Sequence, residues 1–419
     1  MINLNDASTP IQFLVGVNGC GKTYKLRQSL SEHKESNALL IDEEGMPLFS
    51  MQKQEVQIDF STMTYFFKNE HSRGVGNQSQ ESEPIKQEAQ EIVLFARDVT
   101  DKLEQFRQRS KGQEKLYNLM NIFQKHSLNN LKFVYFDEPE NYLDEEFIKL
   151  LADFFELLNK SGYIVRIATH NARLLSIVKV DIENIIFFYN YRTHSISMEE
   201  VKQIFINSAQ EIEHIRNSQR MDVDPGIKYK LGITELEDTF NGFIEQTIKS
   251  DNFYRCLFYS SIVIVEGDSD IIALQSIKHK FGNSTDIYSP NGKAYIPFFV
   301  RLFLRLNKNL IVIIDDDNKE GDAGNLRHPV AITNFLEGLY RDNEIHLVLH
   351  KPDLEAFYGI DTEVVAQNLG MSRSVRNGNK GLLKYLSAMT FFQEEDHQNL
   401  LINHIFSEKK DDLSKYDLR

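Results

Sequence analysis

The stretch that most restricts the fold is a glycine loop near the N-terminus. Gly16-Val17-Asn18-Gly19-Cys20-Gly21-Lys22-Thr23 has the spacing G-x-x-x-x-G-K-T. It follows an apolar run, Ile11-Gln12-Phe13-Leu14-Val15, that reads as a buried strand. Such a loop works only between a strand and a helix. Glycines let the backbone turn its N–H groups around phosphate oxygens, and the helix that follows aims its positive end at the same anion. Asn18, Gly19 and Gly21 are expected to supply loop contacts, Lys22 to reach the β and γ phosphates, and the Thr23 hydroxyl to ligate Mg2+. A glycine-rich turn with a chance lysine is the alternative, and the flanking elements count against it. The chain is therefore expected to bind ATP with one Mg2+ ion.

Phe133-Val134-Tyr135-Phe136 is a second apolar run, and it ends in Asp137-Glu138. Asp137 at the strand end would ligate the Mg2+, and Glu138 would orient or deprotonate the attacking water. A third run extends from Tyr163 to Ala168. Helical patterns lie between, over 85–109 and 113–125, and this alternation predicts an α/β fold with a parallel sheet. The segment 69–84 is polar and reads as an exposed loop. The segment 199–255 reads as a helical connector with a break at Asp224-Pro225-Gly226. A second α/β block starts at Ser261, with strands expected at Ser261 to Val265, Leu310 to Ile314 and Ile345 to Leu349. The pattern turns helical after about residue 360, and the charged tail from Ser407 to Arg419 reads as solvated. The expected organisation is a nucleotide-binding domain over 1–198, the connector over 199–255, a second catalytic domain over 256–360 and its helical C-terminal part over 361–419.

Composition narrows the class. Of 419 residues, 41% are apolar and 26% charged, as in soluble globular proteins. No apolar run is long enough to cross a membrane, and no signal peptide is evident. Cys20 and Cys256 have no metal-ligand neighbours at useful spacing, so a reduced, cytoplasmic protein without zinc is expected. The net charge of −14 argues against non-specific coating of nucleic acid. It leaves room for a nuclease, because carboxylates that hold metal ions add negative charge while local basic groups meet phosphates.

Those carboxylates sit in the second block. The strand Ser261 to Val265 runs into Glu266-Gly267-Asp268-Ser269-Asp270, and Leu310 to Ile314 ends in Asp315-Asp316-Asp317. Acids at the ends of neighbouring parallel strands converge at one sheet edge. Oxygen-rich clusters suit Mg2+ or Mn2+, and two such ions about 4 Å apart can stabilise both the attacking and the leaving oxygen of a phosphodiester. Solvated acidic turns are the alternative for each strand end taken alone. His350-Lys351-Pro352-Asp353-Leu354-Glu355 follows a third strand, where Asp353 or, better, Glu355 could add a ligand.

Several of these motifs resemble known families. Arg109-Ser110-Lys111-Gly112-Gln113 resembles the ABC-ATPase signature S-x-G-Q, Asn141-Tyr142-Leu143-Asp144 its D-loop, and His170 after Thr169 its switch histidine. Ser110, Gly112 and Gln113 could equally be a helix cap. By resemblance, the signature of one protomer contacts nucleotide held by the other, which implies a homodimer through the ATPase. A Q-loop is not identifiable beyond Gln78 and Gln80 as candidates, and a reduced N-terminal β-lobe is expected relative to ABC ATPases, since about ten residues precede the first strand. Glu266 with the Asp315/Asp317 pair resembles the Toprim domain, and Asp270 its nuclease-type form. Two ions at these acids would be implied, with Glu355 among the ligands. A lysine neutralising transition-state charge is also expected, with Lys380 and Lys293 as candidates.

An ABC ATPase joined to a Toprim domain resembles the OLD (overcoming lysogenization defect) nuclease family over about residues 11–385. That resemblance implies an ATP-gated, divalent-metal-dependent DNA endonuclease in antiphage defence. The short chain resembles retron-associated members, held with a reverse transcriptase and its RNA–DNA product; another defence protein is the other partner implied. The competing reading is an ATP-dependent sensor or scaffold with a silent Toprim. A topoisomerase lacks a domain for its tyrosine here, a primase lacks its zinc ribbon, and an SMC-type repair ATPase lacks long coiled-coil arms.

Overall fold

The computed structural model describes residues 2–33, 37–50, 87–125, 131–189, 192–218, 236–290, 292–316, 328–372 and 379–406. Asp317, Gln78, Gln80, the polar segment 69–84, the break at 224–226 and the tail 407–419 lie outside the described residues. The chain divides into two compact units, Met1–Ile196 and Ser197–Arg419.

The first unit contains β1 (Ile11–Val15), α1 (Lys22–Ser31), β2 (Ala38–Ile41), β3 (Pro47–Phe49), α2 (Gln87–Glu104) and α3 (Lys111–Lys125). Then follow β4 (Phe133–Asp137), α4 (Glu145–Lys160), β5 (Ile164–Thr169), α5 (Ala172–Val178), β6 (Ile185–Tyr189) and β7 (Arg192–His194). The seven strands make one sheet in the order β3-β2-β4-β5-β1-β6-β7. The central strands are parallel, and β3 and β7 close the edges antiparallel. Strands covered on both faces are buried at every residue, which is why β2, β4 and β5 show no alternation of burial. Register places the site: Val15 pairs with Thr169 and Asp137 with Ala168, so β1, β4 and β5 end level. The helical layer packs through Phe154 of α4, whose ring meets Phe95 of α2 at 5.8 Å and Phe123 of α3 at 4.9 Å. Arg166 in β5 is fully buried and donates to the carbonyls of Leu4, Asp6, Pro10 and Val165, clamping the segment that leads into β1.

The second unit starts with α6 (Met198–Ser218), α7 (Leu236–Thr247) and α8 (Asp251–Cys256). Its sheet and crossovers are β8 (Ser261–Val265), α9 (Asp268–Ser276), β9 (Thr285–Tyr288), α10 (Ile296–Arg305), β10 (Asn309–Asp315), α11 (His328–Arg341) and β11 (His346–His350). It ends with α12 (Leu354–Tyr358), α13 (Thr362–Asn368), α14 (Lys380–Phe391) and α15 (Glu395–Phe406). Four parallel strands run in the order β11-β10-β8-β9. Val263, Val265, Ile311, Ile313 and Val348 point to one face and pack with α9, α14 and α15 through Leu274, Ala388, Phe392, Leu401 and Ile405. On α10, Phe299 and Phe303 meet Tyr288 of β9 at 4.9 and 5.4 Å. The segment expected as a helical connector falls within this unit. Phe205 of α6 packs on Phe240 and Phe243 of α7 and on Phe298 of α10, so aromatic burial absorbs it into the second core.

Candidate functional site

Two groups of chemistry-bearing side chains stand at the C-terminal ends of parallel strands, one in each unit. In the first, the loop 16–21 joins β1 to α1, and Gly21 carries a positive φ of 102° that an L side chain resists. Lys22 is buried, and its ammonium donates to the carbonyls of Gly16 at 2.8 Å and Val17 at 3.4 Å. Asn18 and Gly19 form the exposed crest. Thr23 Oγ1 donates to Asp137 Oδ1 at 3.1 Å, so the two groups expected on one Mg2+ are already adjacent.

Glu138 takes φ 47°, turning its side chain away from the strand. Its carboxylate accepts from His170 Nδ1 at 3.1 Å and from Asn141 Nδ2 at 2.8 Å. The His170 hydrogen bond is the largest cause that holds the Glu138 carboxyl down at about 2, against the opposing effect of burial. Burial instead lifts Asp137 to about 6. Neighbouring acids thus differ: a base kept ionised by hydrogen bonds, and a buried carboxylate that gains from a cation.

Two residues that sequence reasoning passed over support this group. Lys115 of α3 is buried and donates to the Glu138 carbonyl at 2.7 Å; burial lowers it to about 8 despite the charges of Glu140, Asp42 and Glu138. Glu140, also buried, accepts from Thr169 Oγ1 at 2.5 Å and from the His170 N–H at 3.3 Å. Ser110 and Gln113 cap α3 reciprocally: the Ser110 N–H donates to Gln113 Oε1 at 2.9 Å and the Gln113 N–H to Ser110 Oγ at 3.2 Å. The cap leaves Ser110 exposed, while Gly112 is packed against the backbone of Tyr142.

In the second unit, the ends of β8, β10 and β11 bring Glu266, Asp270, Asp315 and His350 together, and α12 adds Glu355. The Asp315 N–H donates to Glu266 Oε2 at 3.4 Å, and the Leu354 N–H to Asp315 Oδ1 at 3.0 Å. Asp270 Oδ2 accepts from the Gly267 N–H at 3.2 Å. Burial, then the charge of Glu266, lifts Asp315 to about 7. Burial and the charge of Asp315 raise Asp270 well above the ordinary carboxylate range. Burial also pushes His350 down to about 3, which keeps the imidazole neutral.

The lysines differ from expectation. Lys380 opens α14 exposed to solvent and has no ion pair among the described residues. Lys384, one helical turn further on, reaches Glu355 Oε2 at 2.7 Å. Burial alone would lower Lys384, but the Glu355 hydrogen bond and the charges of Glu355, Asp353 and Asp315 raise it. Lys293 is buried, donates to the Asp315 carbonyl and stands 3.9 Å from Glu266 Oε2. Asp353 caps α12 by accepting from the Ala356 N–H at 2.8 Å.

Among the described residues no three His, Cys, Asp or Glu side chains stand close enough together, as placed, to hold a metal ion. The donor set nevertheless fits a hard divalent cation. Oδ1 of Asp270 and Oε1 of Glu355 are buried carboxylate oxygens with no hydrogen-bond partner among the described residues. Acids that raise one another's pKa are relieved by a positive ion between them.

Comparison with known proteins bears on both units. No curated protein matches the chain by sequence. Among solved structures, a metal-chelate-type ABC transporter in an inward-facing conformation is similar at 15% identity and TM-score 0.28, covering 47% of this chain and 78% of its own. The α/β character of the first unit rests on its own strand order and loop geometry. Residues 257–317 match the family described as overcoming lysogenization defect protein-like, TOPRIM domain, a span that holds Glu266, Asp270 and Asp315. The second unit therefore carries an OLD-like Toprim domain, with its acids at the C-terminal edge of a parallel sheet.

Proposed function

We propose that the chain is a divalent-metal-dependent DNA endonuclease whose cutting is controlled by ATP. The observation that carries this reading is the meeting of Glu266, Asp270, Asp315 and Glu355 at one sheet edge with Lys293 and Lys384 between them. Glu266, Asp270, Asp315 and Glu355 would hold Mg2+ or Mn2+, two ions in all, with Asp317 as a further ligand. When bound, such ions activate a water and neutralise charge on the phosphodiester. Lys384, half exposed and paired with Glu355, would meet the charge that develops on the scissile phosphate. Lys293, buried beneath Asp315 and Glu266, fixes the strand ends against their mutual repulsion.

In the first unit, Lys22 would bind the β and γ phosphates of ATP, and Thr23 and Asp137 its Mg2+. Glu138, ionised and held by His170 and Asn141, would orient the attacking water. Exposed Ser110 with Gly112 and Gln113 would touch nucleotide on a second copy, which makes a homodimer the working form. A role in antiphage defence, with a reverse transcriptase and its RNA–DNA product or another defence protein as partner, is what the family resemblance suggests for this activity.

The experiment is incubation of purified protein with supercoiled and linear DNA in Mg2+ or Mn2+, with and without ATP, beside Glu266→Ala and Lys22→Ala. Cleavage by the wild type that is lost in Glu266→Ala and altered in Lys22→Ala is expected. Cleavage that survives Glu266→Ala would refute the assignment of chemistry to these acids, and the absence of cleavage under every condition would favour a sensor or scaffold.

A further inference from the structure

Among the described residues, the imidazole set among these acids is that of His350. His350, the last residue of β11, is 1% exposed, and the register of β10 and β11 sets it beside Asp315. Its Nδ1 stands 3.7 Å from Oδ1 of Asp270 and 3.8 Å from Oδ1 of Asp315. Both separations are too long for a hydrogen bond. Among the described residues, neither ring nitrogen has a hydrogen-bond partner, and neither has Oδ1 of Asp270. Buried polar atoms left unsatisfied destabilise the fold. Such a group of them in one spot asks for a further atom between them.

The surroundings fix each of these groups in place. Asp270 commits Oδ2 to the Gly267 N–H, which leaves Oδ1 toward the ring. Asp315 accepts the Leu354 N–H and keeps a lone pair free on the same oxygen. The imidazole is wedged among the rings of Phe357, Tyr358 and His404 at 5.7, 5.5 and 5.5 Å, so it cannot swing away to find another partner. With metal–ligand bonds of about 2.1 Å, cis ligands of an octahedral ion stand about 3.0 Å apart and trans ligands about 4.2 Å apart. The observed separations fall between these limits, so small side-chain rotations would close the three groups onto one ion.

We propose that His350 is a ligand of the divalent ion held by Asp270 and Asp315, giving an otherwise all-oxygen site one imidazole nitrogen. The inference rests on the nuclease reading of the acidic edge and adds a selectivity to it. Purely oxygen sites suit Mg2+, whereas an imidazole favours Mn2+ and later first-row ions. The site therefore binds Mn2+ in preference to Mg2+, and His350 is the cause.

The test is electron spin-echo envelope modulation of Mn2+ added at one equivalent to the full chain without nucleotide. Nitrogen-14 modulation is expected, and it changes to that of nitrogen-15 in protein labelled at histidine alone, an arm that needs no substitution. His350→Gln removes the modulation and weakens Mn2+ binding at least about tenfold, the lower end of what loss of even an indirect ligand costs, with a smaller change for Mg2+. Modulation absent from the wild type, or persisting in His350→Gln, overturns the assignment. Mn2+ that binds, is released by Asp315→Asn and shows no nitrogen would remove the imidazole alone and leave the acidic site standing. A wild type that binds no Mn2+ would remove both.

Discussion

Substituting alanine for Gly112 tests whether the signature loop is locked to the turn after β4. An ideal Cβ at Gly112 would stand 2.1 Å from the Tyr142 carbonyl oxygen, 2.7 Å from its carbon and 3.2 Å from the Leu143 nitrogen. Ordinary contact starts near 3.4 Å, so the start of α3 and the 141–144 turn must part by more than about 1 Å. The turn resists. Tyr142 sits at φ 68°, the Leu143 N–H donates to Glu140 O at 3.0 Å, and the Lys111 ammonium lies 3.8 Å over the Tyr142 ring. Overpacking of this kind costs about 1–3 kcal/mol. Alanine's better helix propensity returns at most about 1 kcal/mol, and less in a first turn. The clash therefore wins. At about 2–4 °C per kcal/mol for a domain of this size, the first melting transition should fall by roughly 2–10 °C. Under the proposed reading ATP hydrolysis should fall with it, because Asn141 in the same turn holds Glu138. Scanning calorimetry and phosphate release on the full chain measure both. A Gly112→Ala protein that melts within a degree of the wild type and hydrolyses ATP at its rate would refute the close packing and the coupling built on it.

Two other outcomes follow from the second unit. Lys384→Met should reduce cleavage of supercoiled DNA by about a hundred- to a thousandfold, the usual effect of removing one charge-stabilising donor, whereas Lys380→Met leaves it unchanged; the reverse ranking would return the role to Lys380. Acid should compete with metal at Asp315. Its folded-state pKa of about 7 lies above the ordinary 3.8, so the metal-free fold takes up a proton that the unfolded chain lacks between those values. The contribution of Asp315 to the stability of the metal-free protein is then fully present below about pH 4, is lost as pH rises toward 7 and is level above it, while Mn2+ affinity rises over the same window because the proton must leave. Burial of neutral His350 has the opposite slope below 6.5, so melting is compared between the wild type and Asp315→Asn from pH 5 to 8, beside Mn2+ titration of the wild type; a wild type that does not lose stability relative to Asp315→Asn as pH rises would contradict the raised Asp315.

Motifs that end strands were legible, and groups assembled by packing were not. Gly16 to Thr23, Asp137-Glu138, Glu266 and Asp315 announce themselves because an apolar run stops at a glycine or an acid, and β1, β4, β8 and β10 follow at those places. Ile185 to Tyr189 is as apolar but carries no chemistry at its end, and Ala38 to Ile41, though it stops at Asp42, is only four residues long; a short apolar run alone reads equally as buried helix. Strand β9 hides for another reason: Asp286 is buried within it and is offset by Arg255 at 2.5 Å, a partner 31 residues away in the chain. Lys384 was invisible because its partner, Glu355, comes from a different element, while Lys380 sat in a loop-like context that suggested a role. His350 stood in plain sight beside Asp353 and Glu355, yet only the register of β10 and β11 turns its ring toward the acids.

The two acid groups share a position at the ends of parallel strands but differ in what they need. Around Glu138 the negative charge is already answered: His170 and Asn141 donate to it and hold it ionised at about 2, so a base stands ready before any cation arrives. Around Asp315 the charges face one another, and burial with Glu266 lifts it to about 7 while Asp270 rises further. One arrangement stores a base, and the other stores repulsion that only a proton or a metal ion relieves. Occupation of the second site is therefore a condition that nucleotide at the first cannot replace. Under the proposed reading, ATP without divalent metal should leave the acidic edge inert, even when the ATPase residues are fully poised.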